Sequence, residues 1–139
     1  MLIVLDTNVL ISSLLNPKGS PGKILDLIID NQIQIAYDDR ILGEYEDVLA
    51  RPELHIHPPK AKVVIDHMEL TGKYMTSAPL SLEGFTDPDD IMFAEVFVSS
   101  EADALVTGNI KHFKPLTDRK QLVLSPAQFL EKYFPPRQD

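Results

Sequence analysis

Leu2-Ile3-Val4-Leu5-Asp6-Thr7-Asn8 is the stretch on which the fold turns: an unbroken apolar run, partly β-branched, stopped by a carboxylate. Such a run suits a strand buried on both faces, as in a parallel sheet covered by helices. Ala104-Leu105-Val106-Thr107 repeats the pattern and stops at Gly108-Asn109. Ile33 to Tyr37 and Leu122 to Leu124 read as two further strands. Helix signals fill the intervals. Val9 to Leu15 is apolar up to the turn Asn16-Pro17-Lys18-Gly19, and Ser20-Pro21 supplies an N-cap and first-turn proline for a helix to about Asn31. Asp38 or Asp39 caps a helix running to Ala50, and Pro58-Pro59 opens one over about 60–74. After a Ser-, Pro- and Gly-rich loop over 75–86, Asp87-Pro88 starts a helix whose 91–98 stretch is apolar except for Glu95. Ser125-Pro126 caps a last helix through Phe134. Strands alternating with helices predict an α/β fold with a central parallel sheet.

The 139 residues predict one domain, over 1–139, with one core. The absence of cysteine excludes disulfide scaffolds, thiol nucleophiles and thiolate zinc sites. No basic segment precedes the first apolar run, unlike a secretory signal, and no apolar run approaches the ~20 residues of a membrane span. A soluble, cytoplasmic protein is expected. Twenty-one Asp and Glu against 13 Lys and Arg give a net charge of −8, which speaks against a broad basic face for nucleic acid. The charge is uneven, however. Residues 1–50 hold eight acids and three bases, whereas 109–120 hold four bases (Lys111, Lys114, Arg119, Lys120) and one acid, Asp118. That late segment is the candidate path for a polyanion.

In such sheets ligands bind outside the carboxyl ends of the strands, near helix N-termini. Asp6 directly follows the first strand, Asn109 lies two residues beyond Thr107, and Asp87, Asp89 and Asp90 occupy the first turn of a helix. Each also has an ordinary reading, as a turn former or as a complement to the helix dipole. Glu44 is harder to place that way. Ile41, Leu42, Tyr45, Val48 and Leu49 mark the inward stripe of its helix, and Glu44 falls on the edge of that stripe. A carboxylate at a core boundary must be paired, protonated or bound to a cation, and Arg40 at i−4 is the partner the sequence offers. Several carboxylates in one pocket repel each other unless a divalent ion joins them. Mg2+ or Mn2+, held by oxygen ligands and water, can activate water for attack on a phosphodiester.

Val4-Leu5-Asp6-Thr7-Asn8, then Glu44-Tyr45-Glu46-Asp47-Val48-Leu49-Ala50-Arg51-Pro52, Asp87-Pro88-Asp89-Asp90 and Leu105-Val106-Thr107-Gly108-Asn109 resemble, in this order, the PIN domain family. Arg51-Pro52 and Asp87-Pro88-Asp89-Asp90 resemble most closely a prokaryotic branch identified as toxin components of toxin–antitoxin systems. The resemblance covers nearly the whole chain. It implies a three-layer α/β/α fold and a ribonuclease dependent on Mg2+ or Mn2+. Asp6, Glu44 and Asp90 would carry catalysis and bind metal, with Asp87 as a further ligand and Asp89 assisting. Asn8 would hold the loop after Asp6, and Thr107 would hydrogen-bond near the metal. An RNA substrate, reached through Lys111 and Lys114, a small antitoxin protein and a homodimer are the implied partners. The departure is Asn109, where many members have a fourth acid; an amide brings a carbonyl oxygen without charge, so weak activity is expected. The second reading is a weak or inactive PIN-like module that binds RNA or protein.

Ser12 is a candidate hydrogen-bond partner for an acid, His112 a candidate substrate contact, and Glu95 a carboxylate behind the site. His55-Ile56-His57 reads as a Pro-flanked surface loop, and Asp103 as the cap of a turn before its strand. A haloacid dehalogenase phosphatase would carry Asp where Asn8 stands, and its threonine would precede the acidic cluster. A receiver domain needs a phosphoacceptor Asp at the end of a middle strand, and none convincingly follows Ile33 to Ala36.

Overall fold

Ile3, Val4 and Leu5 are shielded from solvent in strand β1 (Leu2–Leu5), and so are all three residues of β4 (Ala104–Val106). The computed structural model describes residues 1–80, 83–118 and 121–136. In it β1 pairs in parallel with β4 on one side, Ile3 opposite Ala104 and Leu5 opposite Val106. On its other side β1 pairs with β2 (Gln34–Tyr37). Two-residue strands, β3 (Lys73–Tyr74) and β5 (Val123–Leu124), form the edges of a parallel sheet ordered β3-β2-β1-β4-β5.

The order fixes the layers. Crossovers between parallel strands are right-handed, and the chain steps from β1 through β2 to β3 in one direction before reversing to β4 and β5. The first direction places α1 (Thr7–Leu15), α2 (Ser20–Ile29), α3 (Asp39–Leu49) and α4 (Pro58–Thr71) on one face. The reversal places α5 (Ile91–Ser100) and the short α6 (Lys114–Thr117) on the other. α7 (Pro126–Tyr133) packs on α2 and on the β4–β5 edge, with Phe129 fully buried. The predicted α/β fold with a central parallel sheet is the one observed. Reversal occurs between β1 and β4, so the crevice outside their carboxyl ends is the place where ligands bind in such sheets.

Local differences from the sequence reading have local causes. Gly19, not Ser20, is the N-cap of α2. The helix can begin at Ser20 because Gly22 lies against the Pro17 carbonyl, where a Cβ would come within 2.1 Å of its oxygen. The helix expected over 60–74 spans Pro58–Thr71 and stops at Gly72. A Cβ there would meet the carbonyl oxygens of Ile35 and Met68 at 2.5 Å, so the chain passes close against β2 and continues as β3. Among the described residues no helix is long and apolar enough to cross a membrane.

Candidate functional site

The crevice between β1 and β4 receives Asp6 and Thr107. Asp6 occupies the N-cap position of α1, yet its carboxylate does not cap the helix. Its N–H donates to the Val106 carbonyl at 2.9 Å, and the Thr107 hydroxyl donates to Asp6 Oδ2 at 2.7 Å. Thr107 Oγ1 also accepts the Asn109 N–H at 3.0 Å, folding the loop after β4 back on itself. Asn8 holds that same loop, its Oδ1 accepting the Gly108 N–H at 3.3 Å, rather than the loop after Asp6.

Glu44 arrives from α3. Asp38 caps this helix, its Oδ1 accepting the Ile41 N–H at 3.0 Å, and the buried Tyr45 hydroxyl donates to the Leu5 carbonyl. With Tyr45 fixed against the end of β1, Glu44 lies beside the following turn and accepts the Thr7 hydroxyl at 3.2 Å. Burial raises its carboxyl above the usual range, and the charges of Asp89 and Asp6 push the same way.

Asp90 arrives from the Asp87-Pro88 corner. Asp87 Oδ1 accepts the Asp89 N–H at 2.9 Å, and the chain enters α5 through a 3-10 turn, Pro88–Asp90, rather than directly as an α-helix. This turn buries Asp90 while Asp89 stays exposed and Asp87 half-buried. Burial and the nearby charge of Asp6 push the Asp90 carboxyl up to about 6. Burial raises Asp6 too, against the Thr107 hydrogen bond. Asp90 Oδ2 is enclosed without a hydrogen-bond partner among the described residues. His112 Nδ1 stands 3.1 Å from it, within ion-pair distance, and pulls the Asp90 carboxyl down against the larger effect of burial.

A match to the PIN domain family runs over residues 2–111, most of the chain. The chain belongs to the PIN domain family. A relative from Methanocaldococcus jannaschii, the uncharacterized protein MJ1680, is 28% identical over 141 aligned residues, covering 94% of this chain and 90% of its own. The crystal structure of VapBC2 from Rickettsia felis bound to a DNA fragment from their promoter matches with a TM-score of 0.54 at 20% identity. That match covers 89% of this chain and 97% of the other, and it shows a shared fold. PIN domains are generally metal-dependent nucleases.

The residues of this PIN domain fit a divalent cation. Glu44 and Asp90 each feel the charge of Asp6, and one enclosed carboxylate oxygen, Asp90 Oδ2, has no hydrogen-bond partner among the described residues. Among the described residues no three His, Cys, Asp or Glu side chains stand close enough to enclose an ion by themselves. An open mouth of this kind suits a hard ion that keeps several waters.

The other candidates stand elsewhere. Ser12 does not reach an acid among the described residues: it faces solvent on α1, where the helical period turns Leu10, Ser13 and Leu14 inward. Asn109 is exposed at the rim. Lys111 and Lys114 are exposed beyond it, and Lys114 pairs with Asp118 at 2.8 Å. Arg119 and Lys120 lie outside the described residues. Asp103 accepts the Leu2 N–H at 2.9 Å, joining the start of β1 to the approach to β4 rather than capping a turn.

Sequence reasoning missed the role of Arg40. Instead of pairing with Glu44, it contacts Asp38 Oδ2 at 2.8 Å and Glu95 Oε1 at 2.7 Å and donates to Ser77 Oγ at 3.0 Å. Glu95 Oε2 accepts the Leu80 N–H at 2.8 Å. Asp38, Arg40, Ser77 and Glu95 line a cleft of about 430 Å³ beside Tyr74 and Met75. The available signal was Glu95 itself, a charge inside an apolar helix and therefore in need of a cation.

Proposed function

We propose that this PIN domain is an endoribonuclease that uses Mg2+ or Mn2+ to cleave RNA phosphodiester bonds, as the toxin of a type II toxin–antitoxin pair. The observation that carries the reading is the enclosed, unpartnered Asp90 Oδ2 beside the charge of Asp6. Family membership supports the nuclease class, and the fold shared with a VapBC complex supports the toxin assignment. Asp6, Glu44 and Asp90 would hold the ion, with Asp87 as a further ligand and Asp89 assisting. Once bound, the ion supplies a more acidic water and positive charge for the leaving oxygen. The chain's own residues orient these ligands. Thr107 fixes Asp6, Thr7 fixes Glu44, and Asn8 holds the Gly108 loop. Lys111 offers a phosphate contact; Lys114 contributes less while Asp118 holds it.

A soluble, cytoplasmic single domain acting as a homodimer, silenced by a small antitoxin with a basic side chain, belongs to the same proposal. The −8 charge and the acidic mouth suit such an inhibitor. Asn109 favours the second reading, a weak or inactive binding module. The test is RNA cleavage with and without Mg2+ or Mn2+, alongside calorimetry of metal binding. Metal-dependent cleavage abolished in Asp6→Ala and Asp90→Ala is expected. RNA binding without cleavage at any metal concentration would select the binding module instead.

A further inference from the structure

Asp90 Oδ2 and His112 Nδ1 face each other across 3.1 Å on the acidic rim. Both are carried by secured turns. Asp90 closes the 3-10 turn at the head of α5, and His112 lies in the 3-10 turn Ile110–Phe113, anchored by the fully buried Phe113. An ion pair at this distance gains most by aiming N–H at oxygen. Here the oxygen is left without a well-formed hydrogen bond. The separation has another natural source. Two adjacent ligands of an octahedral ion with bonds of about 2.1 Å stand about 3.0 Å apart. Imidazole nitrogen is a good donor to transition ions and a poor match for Mg2+, which prefers oxygen.

We propose that His112 Nδ1 and Asp90 Oδ2 are neighbouring ligands of one ion, and that the nitrogen makes the site favour Mn2+ over Mg2+. The inference rests on the metal reading above and sharpens it, turning His112 from a candidate substrate contact into a ligand. Nδ1 binds as the free base, so Nε2 carries the ring proton.

The test adds Mn2+ alone to the full chain and reads it by pulsed electron paramagnetic resonance, with calorimetry of Mn2+ and Mg2+ in parallel. The unmodified protein should show coupling from a directly bound imidazole nitrogen, and that signal decides the matter even if a variant misfolds. In His112→Gln the coupling should vanish and Mn2+ affinity should fall roughly tenfold or more, the scale of damage to a metal site's surroundings. Mg2+ affinity should change far less, so the preference narrows. His112→Asp restores a donor, but an oxygen one; Mn2+ should bind without the nitrogen signal. Mn2+ that depends on Asp90, being lost in Asp90→Asn, yet shows no nitrogen coupling would overturn the His112 assignment and leave the metal reading standing. Absence of Mn2+ and Mg2+ binding, or binding indifferent to Asp90→Asn, would overturn both.

Discussion

Two groups of acids stand near the carboxyl ends of the strands, and only one of them holds an Arg or Lys among the described residues. Asp38, just past β2, and Glu95, on α5, are buried and share the Arg40 guanidinium. Asp6, just past β1, and Asp90, at the head of α5, are buried to the same degree. Around them stand a threonine hydroxyl and an imidazole, with no Lys or Arg in ion-pair contact among the described residues. Burial of a carboxylate is costly in both places. The first group carries its own cation and acts as scaffold, joining the helix that bears Glu44 to the helix that bears Asp90. The second has no guanidinium or ammonium of its own among the described residues, which is what the proposed cation site would use.

Removing the internal cation should have the largest effect. Arg40→Met leaves Asp38 and Glu95 buried together without compensation. Breaking a buried pair this way costs about 3 to 5 kcal/mol; because the guanidinium is itself half-exposed, about 2 to 3 kcal/mol is expected here, read from urea unfolding. A loss below about 1 kcal/mol would mean that the two groups are not electrostatically different after all.

At the other group the same kind of change should have the opposite sign. Asp90→Asn removes a buried charge that no Lys or Arg meets among the described residues. In chelator-treated protein at pH 7 it should therefore raise stability, on the order of 1 kcal/mol once solvent screening is allowed for. The pH dependence follows from the same cause. Asp90 titrates at about 6 in the folded chain and near the usual value of about 3.9 in the unfolded one. The folded state thus holds its proton more tightly, and stability without metal falls as pH rises from about 4 to 6, then levels. The slope should flatten in Asp90→Asn. Saturating Mn2+ should reverse it, because the ion binds the deprotonated carboxylate and gains on the proton as pH rises. A metal-free slope identical in the variant would take Asp90 out of the uncompensated group.

The sheet's centre was legible in the sequence because Leu2–Leu5 and Ala104–Val106 are apolar on both faces and each stops at a polar residue. The edge was not. Lys73 and Tyr74 are a two-residue strand with both side chains exposed, so they carry no alternation, and the pattern of α4 runs into them. Gly72 was the punctuation that marked the boundary. Asp6 past a strand, Asp87, Asp89 and Asp90 in a first helical turn and Glu44 on a helix edge pointed to one rim, whereas the part given to Thr107 came only with the resemblance to the PIN domain family. The i, i+4 spacing of Arg40 and Glu44 misled for a physical reason. A long guanidinium can reach a buried acid on another helix, and Glu95, caught in an apolar surface, had the greater need of it. The approach of His112 to Asp90 depends on how two 3-10 turns meet, which no periodicity encodes.

Asn109→Asp should produce the smallest change and sets a boundary on the comparison. Asn109 shares the rim with Asp6 and Asp90, but it is exposed, and its described bond to Thr107 is made by its backbone N–H. Asp is nearly isosteric with Asn and keeps that bond, so the substitution adds charge and little else. The new charge lies in water, where repulsion from the other acids is screened. Metal-free stability should drop by less than about 0.5 kcal/mol. With Mn2+ present the same charge attracts the ion, and affinity should rise by about threefold, with RNA cleavage equal or faster. Calorimetry and urea unfolding on one preparation read both quantities. A stability loss rivalling that of Arg40→Met would place residue 109 with the buried acids rather than at their margin. A folded variant that has lost both Mn2+ binding and cleavage would show that the site requires the amide itself, and that the uncharged residue at this position is a working part rather than a missing acid.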